Sequence, residues 1–119
     1  MRDESVKRGW LIRLPLEGKP VRDILHVEDF SRACRAFIES SLTHGLYNLG
    51  GGRDNAVSLR ELIDTVSEMI ECKPVFDESS KAPAPAPVPL NYISDLSRVQ
   101  QELKWQPEIG IEEGLRSLL

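Results

Sequence analysis

Among the residues whose type and setting suit ligand binding, Arg22 stands first, in the stretch VRDILHVED (21–29). It follows a Gly18-Lys19-Pro20 turn signal and opens a segment that reads as extended. An arginine there offers a planar fork of five donors, a shape that matches a diphosphate or a carboxylate. A surface salt bridge is the commoner use of such a side chain, so its chemistry alone leaves both uses open. Close by, Asp23, His26, Glu28 and Asp29 place one imidazole among three acids. A His-x-Glu pair is half of a zinc-deaminase signature, but no Pro-Cys-x-x-Cys occurs in the chain, and zinc wants three or four ligands. No metal site is expected. Asp29 is expected to cap a helix, with His26 hydrogen-bonding its surroundings.

The glycines Gly50, Gly51 and Gly52 invite a phosphate-cradle reading, since a hydrophobic Leu46–Leu49 segment precedes them and a capped helix follows. A dinucleotide fingerprint needs Gly-x-Gly-x-x-Gly at the strand-to-helix turn, so that backbone can approach a pyrophosphate. Gly50 and Gly52 fit the first two positions, but the third falls on Asn55 and the helix signal starts only at Ser58. A Gly-Lys-Ser/Thr loop is absent. A tight turn is the expected use of these glycines. Nucleophilic catalysis lacks a constellation too: there is no Gly-x-Ser-x-Gly, and Cys34 falls on the apolar pattern of a helix. Cys34 and Cys72 are expected to be buried, reduced thiols.

The elements that must carry these residues follow from periodicity. Val21–Val27 reads as extended, then Phe30, Ala33, Cys34, Phe37 and Ile38 recur at helical spacing through about Ser41. Leu46–Leu49 reads as a strand. Ser58 and Glu61 form a capping box at the head of a helix whose apolar face is Leu59, Leu62, Ile63, Val66 and Ile70, stopped by Lys73-Pro74. Val75-Phe76 is a short strand candidate, and 79–90 is a proline- and alanine-rich connector. Asn91–Ser94 is extended, Asp95 is placed to cap a helix through Leu103, and a last helix follows Gly110. The class is α/β, helix-rich with a few short strands, and the strands are too few for a complete sheet.

The 119 residues suit a single domain, 1–119. A net charge of -4 gives no electrostatic footprint for nucleic acid. No signal-peptide pattern opens the chain and no apolar run reaches the roughly 20 residues of a membrane span, so a cytoplasmic protein is expected.

Three stretches in order, VRDILHVEDF (21–30), LYNLGGGRDNAVSLRELI (46–63) and YISDLSRVQQELKWQPEIGIEEGL (92–115), resemble the C-terminal part of extended short-chain dehydrogenases. These are the NAD-dependent nucleotide-sugar epimerases and dehydratases related to UDP-galactose 4-epimerase. The resemblance runs from about Leu14 to Leu119, and GGGRDNAVSL with YISDLS is similar in phrasing to CDP-paratose/CDP-tyvelose epimerases. It implies an incomplete Rossmann-type fold, with 46–49 as the last strand of the sheet and the helices as a substrate-side lobe. It also implies that Arg22 contacts the diphosphate of a nucleotide-sugar.

Two departures shape the expected function. The family's Gly-rich cofactor loop is missing, and its Tyr-x-x-x-Lys pair, which moves a proton while nicotinamide takes hydride, is not formed. Four residues after Tyr47 stands Gly51, and four after Tyr92 stands Leu96. The family's second arginine, in an Arg-x-Gly-Asp element before Tyr92, is replaced by APAPAPVPL. The resemblance therefore implies a truncated or split enzyme, with no catalytic residue or NAD(P) site of its own. Its expected partners are a nucleotide-sugar and either a second copy or a complementing N-terminal Rossmann chain. A non-catalytic module for sugar nucleotides or protein interaction is the alternative.

Overall fold

The computed structural model describes residues 11–12, 14–76 and 90–119. The connector, apart from Leu90, lies outside the described residues. In chain order the elements are β1 (Leu11–Ile12), β2 (Val21–Asp23), α1 (Val27–Glu39), β3 (Ala56–Ser58), α2 (Leu59–Met69), β4 (Val75–Phe76), β5 (Asn91–Tyr92), α3 (Ser97–Leu103) and α4 (Ile111–Leu118). The chain gathers into two compact units, one built from residues up to Arg22 with Val57–Tyr92 and Leu115–Leu119, the other from Asp23–Ala56 and Ile93–Gly114.

The first unit holds the short strands. β1 and β4 pair in parallel, Leu11 against Val75 and Ile12 against Phe76. β2 pairs in parallel with β5, Val21 against Asn91 and Arg22 against Tyr92, within a sheet of order β3-β2-β5. Both halves of the predicted capping box are present at the head of α2. The Glu61 backbone N–H donates to Ser58 Oγ (3.1 Å), and the Ser58 N–H donates to Glu61 Oε1 (2.9 Å). At its other end, Glu71 takes a left-handed conformation (φ 55°) just before Lys73-Pro74.

The second unit is organised around Ala33, Leu96, Val99 and Trp105, with Leu25, Tyr47, Leu49 and Leu103 packed against them. Here the helix signals at 26–29 resolve differently from expectation. The extended segment ends at Asp23, and α1 starts at Val27 with His26 as its cap, Nδ1 accepting from the Glu28 N–H at 3.0 Å. Asp29 does not cap it. It is fully buried in the first turn, and its carboxylate accepts from the backbone N–H groups of Glu108 and Ile109 and from Arg32. The Trp105 indole N–H donates to the Asp29 carbonyl at 2.9 Å, tying the post-α3 segment to α1 a second time.

Two further expectations are corrected. Leu46–Leu49 forms no strand: Tyr47 and Leu49 pack against the core while Leu46 is 80% exposed. A strand exists only where a ladder partner satisfies it, and hydrophobic alternation does not supply one. Cys34 is exposed rather than buried, and Cys72 is half-buried. The face that α1 turns to the core is that of Asp29 and Ala33. Cys34 lies one residue on, rotated by about 100°.

Candidate functional site

A cavity of about 700 Å³ lies within the first unit. Its apolar wall is Ile12 of β1, Leu14, Val21 of β2 and Phe76 of β4. The turn before β2 closes one side. Leu16, Glu17 and Gly18 all take positive φ (51°, 58° and 71°), a sparsely populated region for side-chain-bearing residues. Gly18 has a second reason to be glycine, since a Cβ there would meet Leu14 Cδ1 at 2.7 Å and the Arg60 backbone nitrogen at 3.1 Å. The polar wall comes from Ser58, Arg60 and Glu61 at the start of α2, with Glu17 and Lys19 opposite in the turn. Lys19 is paired with Glu17 at 3.2 Å, both largely exposed. Glu61 is engaged in its capping box, and the Ser58 amide and hydroxyl hold its carboxyl below the usual range, so it stays charged. The Arg60 guanidinium lies 3.6 Å from the centre of the Phe76 ring.

Arg22 stands next to this wall in sequence, but it is Val21, not Arg22, that lines the cavity. The Arg22 Nη1 donates to the Val21 carbonyl oxygen at 2.8 Å. Arg60 and Phe76 were not singled out by the sequence reading. A cation at the second position of a helix, where the macrodipole disfavours it, is the signal that points to Arg60. Phe76 gave none.

In the second unit, the glycine run has a different neighbourhood. The Asp23 carboxylate accepts from the N–H groups of Gly52 (3.0 Å) and Ser94 (3.1 Å) and from Ser94 Oγ (3.3 Å). A side chain at Gly50 would collide with Asp23 and Ser94, and one at Gly51 with the Ile24 carbonyl. Asn55, at the third fingerprint position, donates from Nδ2 to the Gly51 carbonyl at 2.9 Å, and a 3-10 turn and β3 intervene before α2 begins. The backbone at Gly50 and Gly51 is thus approached by protein, where a pyrophosphate cradle would leave room for phosphate oxygens. These residues do not fit a dinucleotide. A polar cleft of about 630 Å³ borders Gly52 and Ser94–Ser97. Among the described residues no group of three or more His, Cys, Asp or Glu side chains is arranged to hold a metal. None of the described helices is long and apolar enough to cross a membrane.

Comparison with known proteins places this architecture. No family model matches the chain. The UDP-glucuronate 4-epimerase of Thermodesulfobacterium geofontis is 31% identical over 100 residues, covering 84% of this chain and 29% of that protein. An Escherichia coli dTDP-glucose 4,6-dehydratase is 29% identical over 114 residues, covering 90% of this chain and 32% of the enzyme. Among solved structures, the Thermotoga maritima UDP-glucose 4-epimerase with UDP-glucose superposes at TM-score 0.76 and 26% identity, covering 95% of this chain and 35% of that one. Other solved neighbours hold NAD together with UDP or UDP-glucose. The relatives and neighbours are thus NAD-dependent nucleotide-sugar epimerases and dehydratases, and the fold is a Rossmann-type α/β portion of theirs. The chain spans about a third of the length of the curated relatives it matches. The kinship to CDP-paratose/CDP-tyvelose epimerases is not distinguished by these matches.

Proposed function

We propose that residues 1–119 act as a single nucleotide-sugar-binding domain of an epimerase or dehydratase. The cavity next to Val21 takes the nucleotide-sugar and Arg22 contacts its diphosphate. One observation carries this reading: a cavity of about 700 Å³, part apolar and part charged, opens beside β2 at Val21, the residue before Arg22. Such a mixed lining suits a small ligand with a flat or apolar part and a charged part. The relatives supply the class of that ligand.

The chemistry needs more than these residues. NAD would supply hydride transfer, but the glycine run at 50–52 does not fit it and no Tyr-x-x-x-Lys pair exists in this sequence. What these residues do is bind and orient the nucleotide-sugar for a cofactor-holding portion outside them.

Calorimetric titration of the purified chain with UDP, dTDP and CDP tests the reading, the CDP arm addressing the paratose/tyvelose-like phrasing. Binding of at least one nucleotide is expected, with Arg22→Ala weakening it roughly tenfold or more, the scale of a lost charge-assisted contact. Identical isotherms for wild type and Arg22→Ala remove Arg22 from the site. Null isotherms throughout favour a purely structural or interaction role.

A further inference from the structure

We infer that Arg60 is a second anion-binding residue of the same cavity, contacting the phosphates of a bound nucleotide. This rests on the reading of the cavity given above. Among the described residues four charged side chains line it: Glu17, Lys19, Arg60 and Glu61. Three are committed. Lys19 and Glu17 pair with each other, and Glu61 serves the capping box. The Arg60 guanidinium makes no ion pair and no hydrogen bond among the described residues; its one partner is the Phe76 ring, 3.6 Å from ring centre to guanidinium carbon. Stacking of this kind fixes the plane of the guanidinium while leaving its edge N–H groups available for a ligand. Helix stability does not explain the residue either. A cation in the first turn of α2 faces the positive end of the helix dipole, an arrangement that costs free energy unless an anion comes to join it.

The test compares UDP with uridine, which carries the same base and sugar without phosphate, in calorimetric titrations of the full chain at low salt. Arg60→Met keeps most of the stem that packs on Phe76 while removing the charge. It is expected to weaken UDP binding roughly tenfold, leave uridine within about twofold, and flatten the salt dependence of the UDP arm. Arg60→Lys serves if the methionine variant does not fold, and is expected to lie between the two, since an ammonium cannot make a forked contact. If Arg60→Met binds UDP as wild type does while Arg22→Ala does not, Arg60 has no such role and the proposed function stands. Equal weakening toward UDP and uridine shows a packing effect and overturns the phosphate contact. A wild-type chain that binds none of UDP, dTDP and CDP sinks the underlying reading, and this inference with it; if it binds dTDP or CDP alone, the same comparison is made with that nucleotide and its nucleoside.

Discussion

Asp29 shows what a single residue does here and why its type matters. Burial by itself would push its carboxyl pKa up; the hydrogen bond from Arg32 and the N–H groups of Ile109 and Glu108 outweigh that and hold it below 3.8, the ordinary value. A depressed folded-state pKa means that the unfolded chain binds the proton more readily. The stabilisation is therefore complete above the ordinary value and is lost as pH falls from about there through the lower folded value. Urea unfolding is expected to show stability falling as the pH drops below the ordinary carboxyl value, with Asp29 contributing to that fall. Asp29→Asn keeps one acceptor oxygen but sets an amide NH₂ against a donor, the Arg32 guanidinium on one side or the Ile109 N–H on the other, so it should cost roughly 2–3 kcal/mol at pH 7 and flatten part of that acid dependence. A variant with wild-type stability at pH 7 rules out this account. The sequence pattern puts Asp29 at the cap of this helix; His26 caps it instead, and Asp29 lies inside the first turn. What could not be read was its partner, because Glu108 and Ile109 stand 79 and 80 residues away. His26 could cap because the first turn needed only a local acceptor.

Among the elements, legibility follows how local the stabilising contact is. The α2 capping box closes within four residues, and both of its bonds are in place. Ser58→Ala removes one acceptor and uncouples the other half of the box, so it should destabilise by about 1 kcal/mol, read as a shift in urea midpoint at constant slope. A midpoint unchanged within error would show that the sheet, not the cap, fixes the start of α2. The parallel pairing of β1 with β4 was suggested only on one side, as a strand candidate at Val75-Phe76, because the partner lies more than sixty residues earlier. Leu46–Leu49 failed for the converse reason: its hydrophobic residues serve packing, with Leu49 and Tyr47 on the core, and no ladder is formed. The cavity belongs to the same category. Its walls come from three segments distant in sequence, so Arg22 was visible as a candidate through its motif while Arg60 and Phe76 were not.

For the whole molecule, the decisive feature is an apolar stripe on the outer side of α1. Val27 is 67% exposed, Phe30 48% and Ile38 79%, with exposed Cys34 between them. These positions are spaced three and four residues apart, so they share one face, beside the face by which Asp29 and Ala33 meet the core. An exposed apolar stripe on a helix that already has a core face is ordinarily covered. We propose that a cofactor-binding portion, of the kind the proposed function calls for, covers the stripe. Without that portion, the isolated 119-residue chain should bury the stripe against itself. Light scattering is then expected to give a dimer or larger species, and Phe30→Glu with Ile38→Glu to give a monomer. The double variant should unfold within about 0.5 kcal/mol of wild type when both are compared as monomers, as befits exposed positions. It should also fail to associate with an added NAD-binding portion that wild type engages. A wild-type chain that is monodisperse and monomeric at high concentration, and takes up no apolar dye, contradicts the stripe as an interface.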